Sequence, residues 1–421
     1  VIKFPQEAGS AVLVTGAAGF IGSHLVDQLL ASGHRVIGLD RRDVRTDLTA
    51  GLHLAEAIIH PRFSWVHRDL LQVDLSTILH DVECVFHLAA VPGVRKSWGR
   101  TFPDYVSNNI RATERLAAAC VHAGVPRLVY ASSSSVYGQA TAASRETDPV
   151  QPISPYGITK LAGEQLCLAY ARRPGSRLRV SALRYFTVYG PRQRPDMAIS
   201  RLLAAALTGA QYTLFGDGTQ RREFTFVSDV VDATVAAADL GDETAVINLG
   251  GGSSISIIDL LSVAREVTGA PVFLTAVEAH PGDVVQTWAD LSVARQVLGY
   301  EPRVDLLTGM RHHGDWLRAL LPPVRGRLRH GDGRRAAQRA AGHGHDRVAR
   351  GAPVPDGAAS PVRRGPARPA AQSGVRGRRG VVDPVRFRRS VDLRLQPVPG
   401  AVRRRRSAAR RVRASDAPVA W

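Results

Sequence analysis

Ala11-Val-Leu-Val-Thr15 runs directly into Gly16-Ala-Ala-Gly19-Phe20-Ile21-Gly22, and this junction decides the fold. The first five residues read as a buried strand, and the apolar spacing after Gly19 reads as a helix from Phe20 to about Ala31. Each glycine answers a separate steric demand: Gly16 turns the chain, Gly19 admits backbone to a pyrophosphate, and Gly22 brings helix onto strand. Phe20 and Ile21 open the helix, whose N-terminus faces the phosphates. A second strand, Arg35-Val-Ile-Gly-Leu39, ends at Asp40, where a carboxylate accepts hydrogen bonds from an adenosine ribose. The unit predicts a dinucleotide site; the plainer alternative is a structural turn. Because Asp40 repels a 2'-phosphate, NAD is the expected cofactor, with Arg41 and Arg42 leaving NADP as the alternative.

Further strands follow outward from this unit. Phe63-Ser-Trp-Val-His67 precedes Asp69, which is placed either to meet adenine or as an ordinary loop acid. Val82-Glu-Cys-Val-Phe-His87 leads into Leu88, Ala89 and Ala90, where small side chains let a cofactor lie close. A helix is expected over 103–123, with Asn109 bonding either the cofactor or local backbone. Arg127-Leu-Val-Tyr-Ala131 then enters the run Ser132 to Ser135 before Val136-Tyr137-Gly138. Repeated β-α units predict an α/β fold, a Rossmann-type doubly wound parallel sheet that collects its ligands at the carboxyl ends of the strands.

Ser154-Pro-Tyr-Gly-Ile-Thr-Lys160 supplies the chemistry. Capped by Ser154, a helix over about 156–172 puts Tyr156 and Lys160 on one face. A free tyrosine titrates near ~10, and a fixed cation beside it favours the phenolate, so the pair is expected to make a base. Taken alone, the same spacing also fits a surface helix with a solvated lysine.

In order, Gly16-x-x-Gly19-x-x-Gly22, His87-Leu-Ala-Ala90, the serine run and Tyr156-x-x-x-Lys160 resemble the extended short-chain dehydrogenase/reductase superfamily of nucleotide-sugar enzymes. The resemblance covers about 10–320. It implies that Ser133 works with Tyr156, and that Ser134 and Ser135 stand where family dehydratases carry an acid pair. Two serines cannot act as acid and base near neutrality, so dehydration is disfavoured. Phe186-Thr-Val-Tyr-Gly-Pro191 followed by Arg194-Pro-Asp-Met197 looks like the UDP-glucuronate 4-epimerases. By that resemblance Arg194 grips the sugar carboxylate and Thr187 hydrogen-bonds it, which would restrain a β-keto acid from losing carbon dioxide. Arg194 as a plain surface arginine is the other reading.

The resemblance further implies a UDP-sugar substrate, a homodimer with Ile110, Leu116 and Ala117 either at its interface or in ordinary core packing, Arg222 on the diphosphate and Asp283 on the nucleoside ribose, while the unpaired cysteines point to a reducing, cytoplasmic setting. His280 stands where the family has arginine, which weakens the expected diphosphate contact. Asp229 is expected to cap the helix that follows it, and Trp316 and Leu320 to share a face of the last one. The expected domains are 1–190 for the cofactor and catalytic residues, and 191–321 for a smaller substrate lobe with one strand near 245–249 returning to the sheet. The activity implied is C4 epimerisation of a UDP-hexuronic acid. Its alternatives are a UDP-glucose 4-epimerase, a UDP-glucuronate decarboxylase or a non-catalytic NAD-sensing protein.

Charge separates this body from the last hundred residues. The 421 residues carry a net charge of +18, but 322–421 hold 25 Arg and 6 Asp with no Lys or Glu, which leaves 1–321 at −1. Cys84, Cys120 and Cys167 lack metal-ligand spacing and read as buried free thiols. No signal peptide or apolar span is read, so neither secretion nor membrane insertion is expected. The Arg-rich segment, without interleaved aromatics, reads as disordered chain or coding sequence out of its natural frame; phosphate binding on nucleic acid is the alternative. A chain ended after Leu321 is therefore expected to keep full turnover. Loss of catalysis on truncation, or salt-dependent nucleic-acid binding confined to the removed part, would contradict this.

Overall fold

Strands that must bury both faces need apolar residues at consecutive positions, and β1 (Ala11–Thr15) is buried at every one. The computed structural model describes 11–241, 243–278 and 284–321. After β1 come β2 (Arg35–Asp40), β3 (Phe63–His67), β4 (Val82–His87), β5 (Arg127–Ser133), β6 (Arg179–Tyr185), β7 (Thr187–Tyr189), β8 (Gln211–Phe215), β9 (Arg221–Phe226), β10 (Ala245–Leu249), β11 (Ser254–Ser256) and β12 (Phe273–Val277). Seven form one parallel sheet in the order β3-β2-β1-β4-β5-β6-β10. The order reverses between β1 and β4, so their carboxyl ends open a crevice there. Smaller sheets, β11-β9-β7 and β12-β8, form from residues after 186, while β10 returns to pair with β6.

Alternation along the strands divides the core into two layers. Val12, Val14, Cys84, Phe86, Val129 and Leu183 pack on one side, with helices Phe20–Ala31, Ala198–Thr208, Val227–Ala236 and Ile257–Thr268. Leu13, Ile37, Val85, Leu128, Tyr130 and Ala182 pack on the other, under Ala112–Ala123 and Pro155–Arg172. Cys84, Cys120 and Cys167 are buried free thiols. Leu116 and Ala117 belong to this second core and are fully buried, which is the core-packing alternative and leaves them no surface for a partner chain. Among the described residues no helix is long and apolar enough to cross a membrane.

Two local expectations are corrected. Over 103–123 the chain is not uniformly α-helical: Val106–Arg111 winds as a π-helix between Phe102–Tyr105 and Ala112–Ala123. Asp229 does not cap its helix; its Oδ2 accepts from the Arg303 and Val304 amides at 3.1 Å each, binding a distant segment to the start of Val227–Ala236. The final helix, Leu306–Leu320, carries Trp316 and Leu320 at i and i+4 on one face as expected, and it is Met310 and His313 that it buries. Its close approach depends on Gly309, where a Cβ would collide with the Tyr189 hydroxyl.

A buried ion pair fastens the Pro155–Arg172 helix to the sheet. Arg184 on β6 donates through Nη2 to Glu164 Oε1 at 2.7 Å and through Nε to Oε2 at 3.0 Å, and both side chains are out of solvent. Ser132 donates to Glu164 Oε2 at 2.7 Å, while Arg184 Nη1 reaches the Tyr137 hydroxyl at 2.9 Å. Such a pair is costly to break from one side, because the survivor is left charged and unsolvated. Arg184→Met is expected to destabilise the protein by about 3–5 kcal/mol, read from the shift in urea midpoint. Adding Glu164→Leu should recover most of the loss; failure to recover any would mean that the pair is not the source.

Candidate active site

Parallel register carries the ends of β1, β4, β5 and β6 to one edge of the sheet, and the predicted motifs lie there. Thr15 at the end of β1 faces His87 at the end of β4 in register, and Thr15 Oγ1 lies 2.7 Å from His87 Nδ1. His87 Nε2 meets Thr113 Oγ1 at 2.9 Å, and burial pushes this imidazole down to about 3, so it is neutral. The Ala89 amide donates to Thr15 Oγ1 at 3.3 Å, fixing Leu88–Ala90 beside the glycine loop. Gly16 has φ +72°, and a Cβ there would sit 2.8 Å from the Ala89 nitrogen, so both conformation and space require glycine.

That cradle fits a dinucleotide. Gly19 precedes the Phe20–Ala31 helix with no side chain capping its first amides, so they remain directed toward an anion. Asp40 lies beside it, with Oδ2 accepting from the Ala18 amide at 3.2 Å and Oδ1 from the Arg42 amide at 3.1 Å. Arg42 Nη2 also donates to the Ala18 carbonyl, so this guanidinium is engaged in closing the loop. Asp69 is partly spent locally, its Oδ1 accepting from the Leu71 amide at 2.8 Å.

Asn109 serves the site from behind. The π-helical turn aims its buried amide at the loop after β4: Oδ1 accepts from the Val91 amide at 2.7 Å, and Nδ2 donates to the Val91 carbonyl at 3.1 Å and to Thr159 Oγ1 at 3.0 Å. Both amide protons are committed to the protein. Of the two roles expected for it, the local one is what the structure shows.

The Ser154 cap is as expected, its Oγ accepting from the Gly157 amide at 3.1 Å at the head of Pro155–Arg172. Ser133 accepts from the Ser135 amide at 3.2 Å and shapes the short turn Ser134–Val136. That turn packs tightly on the helix, since a Cβ on Gly157 would lie 2.5 Å from the Ser135 carbonyl oxygen. Ser133 thereby comes into hydrogen bonding with the Tyr156 phenol, and the Tyr105 ring meets Tyr156 edge-on at 6.3 Å between centroids.

The electrostatics differ from expectation. Burial raises the Tyr156 phenol above its ordinary value, and the Ser133 hydrogen bond and the Arg194 charge pull downward without reversing it. Lys160 does not lower it in the chain alone. Its ammonium lies 4.3 Å from the centroid of the Tyr130 ring, a cation–π contact. Burial depresses Lys160 to about 8, with Cys167 and Glu164 acting upward. Sharing a helical face is thus not sufficient to make a base.

Thr187 opens β7, paired with Phe224 of β9, and is half-buried. Arg194 lies on the following loop, where its charge reaches both Tyr156 and Tyr105. Arg222 Nη1 donates to the Arg221 carbonyl at 2.8 Å and more weakly to that of Val285 at 3.3 Å. Asp283 and His280 lie outside the described residues. Sequence reasoning does not find Glu164, Thr159 or Tyr105. Glu164, four residues after Lys160 on an otherwise apolar face, carries the one signal that could have revealed it.

A cradle for a dinucleotide beside a buried Ser-Tyr-Lys cluster defines an NAD-binding enzyme of the short-chain dehydrogenase/reductase class. Residues 12–250 match the model of the NAD dependent epimerase/dehydratase family. A protein of Bacillus subtilis named uncharacterized UDP-glucose epimerase YtcB is 42% identical over 314 residues, covering 73% of this chain and 98% of that protein. MoeE5, solved with NAD and either UDP-glucose or UDP-glucuronic acid, is 47% identical with a TM-score of 0.69, covering 74% of this chain and 100% of MoeE5. UDP-glucuronic acid 4-epimerase from Bacillus cereus, solved with UDP-glucuronic acid and NAD, is 43% identical with a TM-score of 0.71 and the same coverages. The chain belongs to the NAD dependent epimerase/dehydratase family and is a nucleotide-sugar 4-epimerase that uses NAD.

The depressed lysine has a consequence for stability. The unfolded chain holds this proton up to about 10.5 and the folded one only up to about 8, so between these values the unfolded state binds more protons. The destabilising effect is complete below pH 8 and fades as pH rises through the window. Lys160→Met is therefore expected to melt above the parent at pH 7, with the gain shrinking toward pH 10.5. A gain that does not change with pH would contradict the assignment.

Proposed function

We propose that the substrate is a UDP-hexuronic acid, with UDP-glucuronate and UDP-galacturonate as the interconverted pair. The observation that carries this is Arg194, a cation on the lip of the site close enough to act on Tyr156. A guanidinium suits a planar carboxylate, and a neutral hexose has no use for it there. Thr187, half-buried at the mouth of β7, adds a hydroxyl for the same carboxylate.

In this reading Ser133 orients the sugar 4-hydroxyl against Tyr156, and Tyr156 takes its proton as general base. Held by the glycine loop and Asp40, NAD would supply the reversible acceptor for the C4 hydride and a positive charge beside Tyr156. Since burial holds the phenol above its ordinary pKa, Tyr156 needs positive charge beside it to act as a base: Arg194 already pulls it downward, and Lys160 stands one helical turn along the same helix. Arg194 and Thr187 hold the carboxylate so that its bond to C5 stays out of alignment with the C4 ketone, which preserves it. Ser134 and Ser135 carry no group able to remove water. Gly16, Gly19, Phe20, Ile21, Gly22, Asp40 and Leu88–Ala90 form the cofactor cradle, and Asn109 steadies its rim. Arg222 is assigned to the diphosphate and Asp283 to the nucleoside ribose.

UDP-glucose remains the second reading, favoured by the name of the Bacillus subtilis relative and by the MoeE5 complex with that sugar. Incubation of the NAD-loaded enzyme with each sugar nucleotide separates the two. UDP-galacturonate is expected from UDP-glucuronate, and Tyr156→Phe should slow it by about 10²–10⁴-fold. Arg194→Ala should divert part of the uronate to UDP-pentose and carbon dioxide. Exclusive turnover of UDP-glucose by the parent would overturn the substrate assignment.

A further inference from the structure

On the lip of the site three charged side chains meet that the proton transfer does not use. Arg194 Nε donates to Asp196 Oδ1 at 3.0 Å, and Nη2 reaches Oδ2 at 3.4 Å. Lys96 Nζ donates to the same Oδ2 at 3.1 Å. Arg194 and Asp196 belong to the loop before the Ala198–Thr208 helix, whereas Lys96 lies on the short turn Arg95–Ser97 after β4. One carboxylate thus joins the two loops that flank the sugar site.

A guanidinium offers two edges that can each hold a carboxylate, a lateral one through Nε and Nη2 and a terminal one through Nη1 and Nη2. Asp196 takes the lateral edge, and among the described residues Nη1 donates to no acceptor. Nη2, shared by both edges, lies by Gly93, where a Cβ would be 3.9 Å from it and 3.8 Å from the Tyr105 hydroxyl. Tyr105 in turn packs against Tyr156. Asp196 carries one negative charge between two cations, so the cluster keeps a surplus positive charge, and that of Arg194 reaches Tyr156 and Tyr105.

We propose that Asp196 is a positioning residue for selection of uronic acids: anchored by Lys96, it holds the lateral edge of Arg194 so that the terminal edge stays presented to the sugar carboxylate. This rests on the uronate reading above. An arginine left unheld has several rotamers to lose on binding, and holding it beforehand removes that cost from the acid sugar alone. The opposite role is also physically possible, with Asp196 occupying Arg194 and competing against the substrate carboxylate. The two roles predict opposite signs.

The test is the ratio of Kd values for UDP-glucuronate and UDP-glucose on NAD-loaded parent, Asp196→Asn, Asp196→Glu, Lys96→Met and Arg194→Ala, by calorimetry. Asp196→Asn keeps shape and removes charge, and it is expected to cut the preference for the uronate about tenfold, the scale of one charged hydrogen bond. Asp196→Glu should restore part of the preference, and Lys96→Met should lose part of it. An unchanged ratio in Asp196→Asn would show a merely structural role, and a ratio shifted toward the uronate would show competition; either overturns the proposal. Arg194→Ala separates the two levels. If it too leaves the ratio unchanged, the uronate reading itself has failed; if it alone abolishes the preference, only the role of Asp196 has.

Discussion

The bidentate pair between Arg184 and Glu164 is the constraint on which the site depends. It joins β6 to the middle of the helix that carries Tyr156 and Lys160, and through Ser132 it reaches the end of β5 one residue before Ser133. The Tyr137 hydroxyl extends the network to Asn248 on β10 at 2.7 Å. A phenol and a serine hydroxyl must meet within a few tenths of an ångström for proton transfer, and a helix lying on apolar contacts alone can slide. Directional, fully satisfied hydrogen bonds in a dry interior remove that freedom.

Around this anchor the protein stores its chemistry in groups it would otherwise avoid burying. Lys160 is held charged over an aromatic ring below its ordinary pKa, and Tyr156 is held neutral above its own. Both departures have the same origin, loss of water, which disfavours the charged form of each group. The phenol is thereby held in reserve, ready for the positive charge that a bound cofactor would bring. Stability is given up for that readiness, as is usual where activity needs groups removed from their preferred surroundings.

Specificity is built from a different material. The lip of the site is made of loops, and its charges are partly solvated, so their geometry is set by ion pairing rather than by packing. The sheet edge is common ground for many nucleotide-sugar enzymes, whereas such loops can be exchanged without disturbing a core.

The amino-acid sequence by itself determined every element whose cause is local. The glycine loop, the buried strands, the Ser154 cap and the bounds of Phe20–Ala31 all follow from periodicity and turn or cap residues within a few positions. Tertiary structure decided what depends on partners far along the chain. Asn109 is claimed by Val91 and Thr159, Asp229 by the amides of Arg303 and Val304, and Lys96 meets Asp196 across 100 positions. The same holds for proton affinity: helical spacing placed Tyr156 and Lys160 on one face, but burial set the sign of both shifts. Local patterns report the direction in which a side chain leaves the backbone, and only the folded chain supplies the water, charge and hydrogen bonds it finds there.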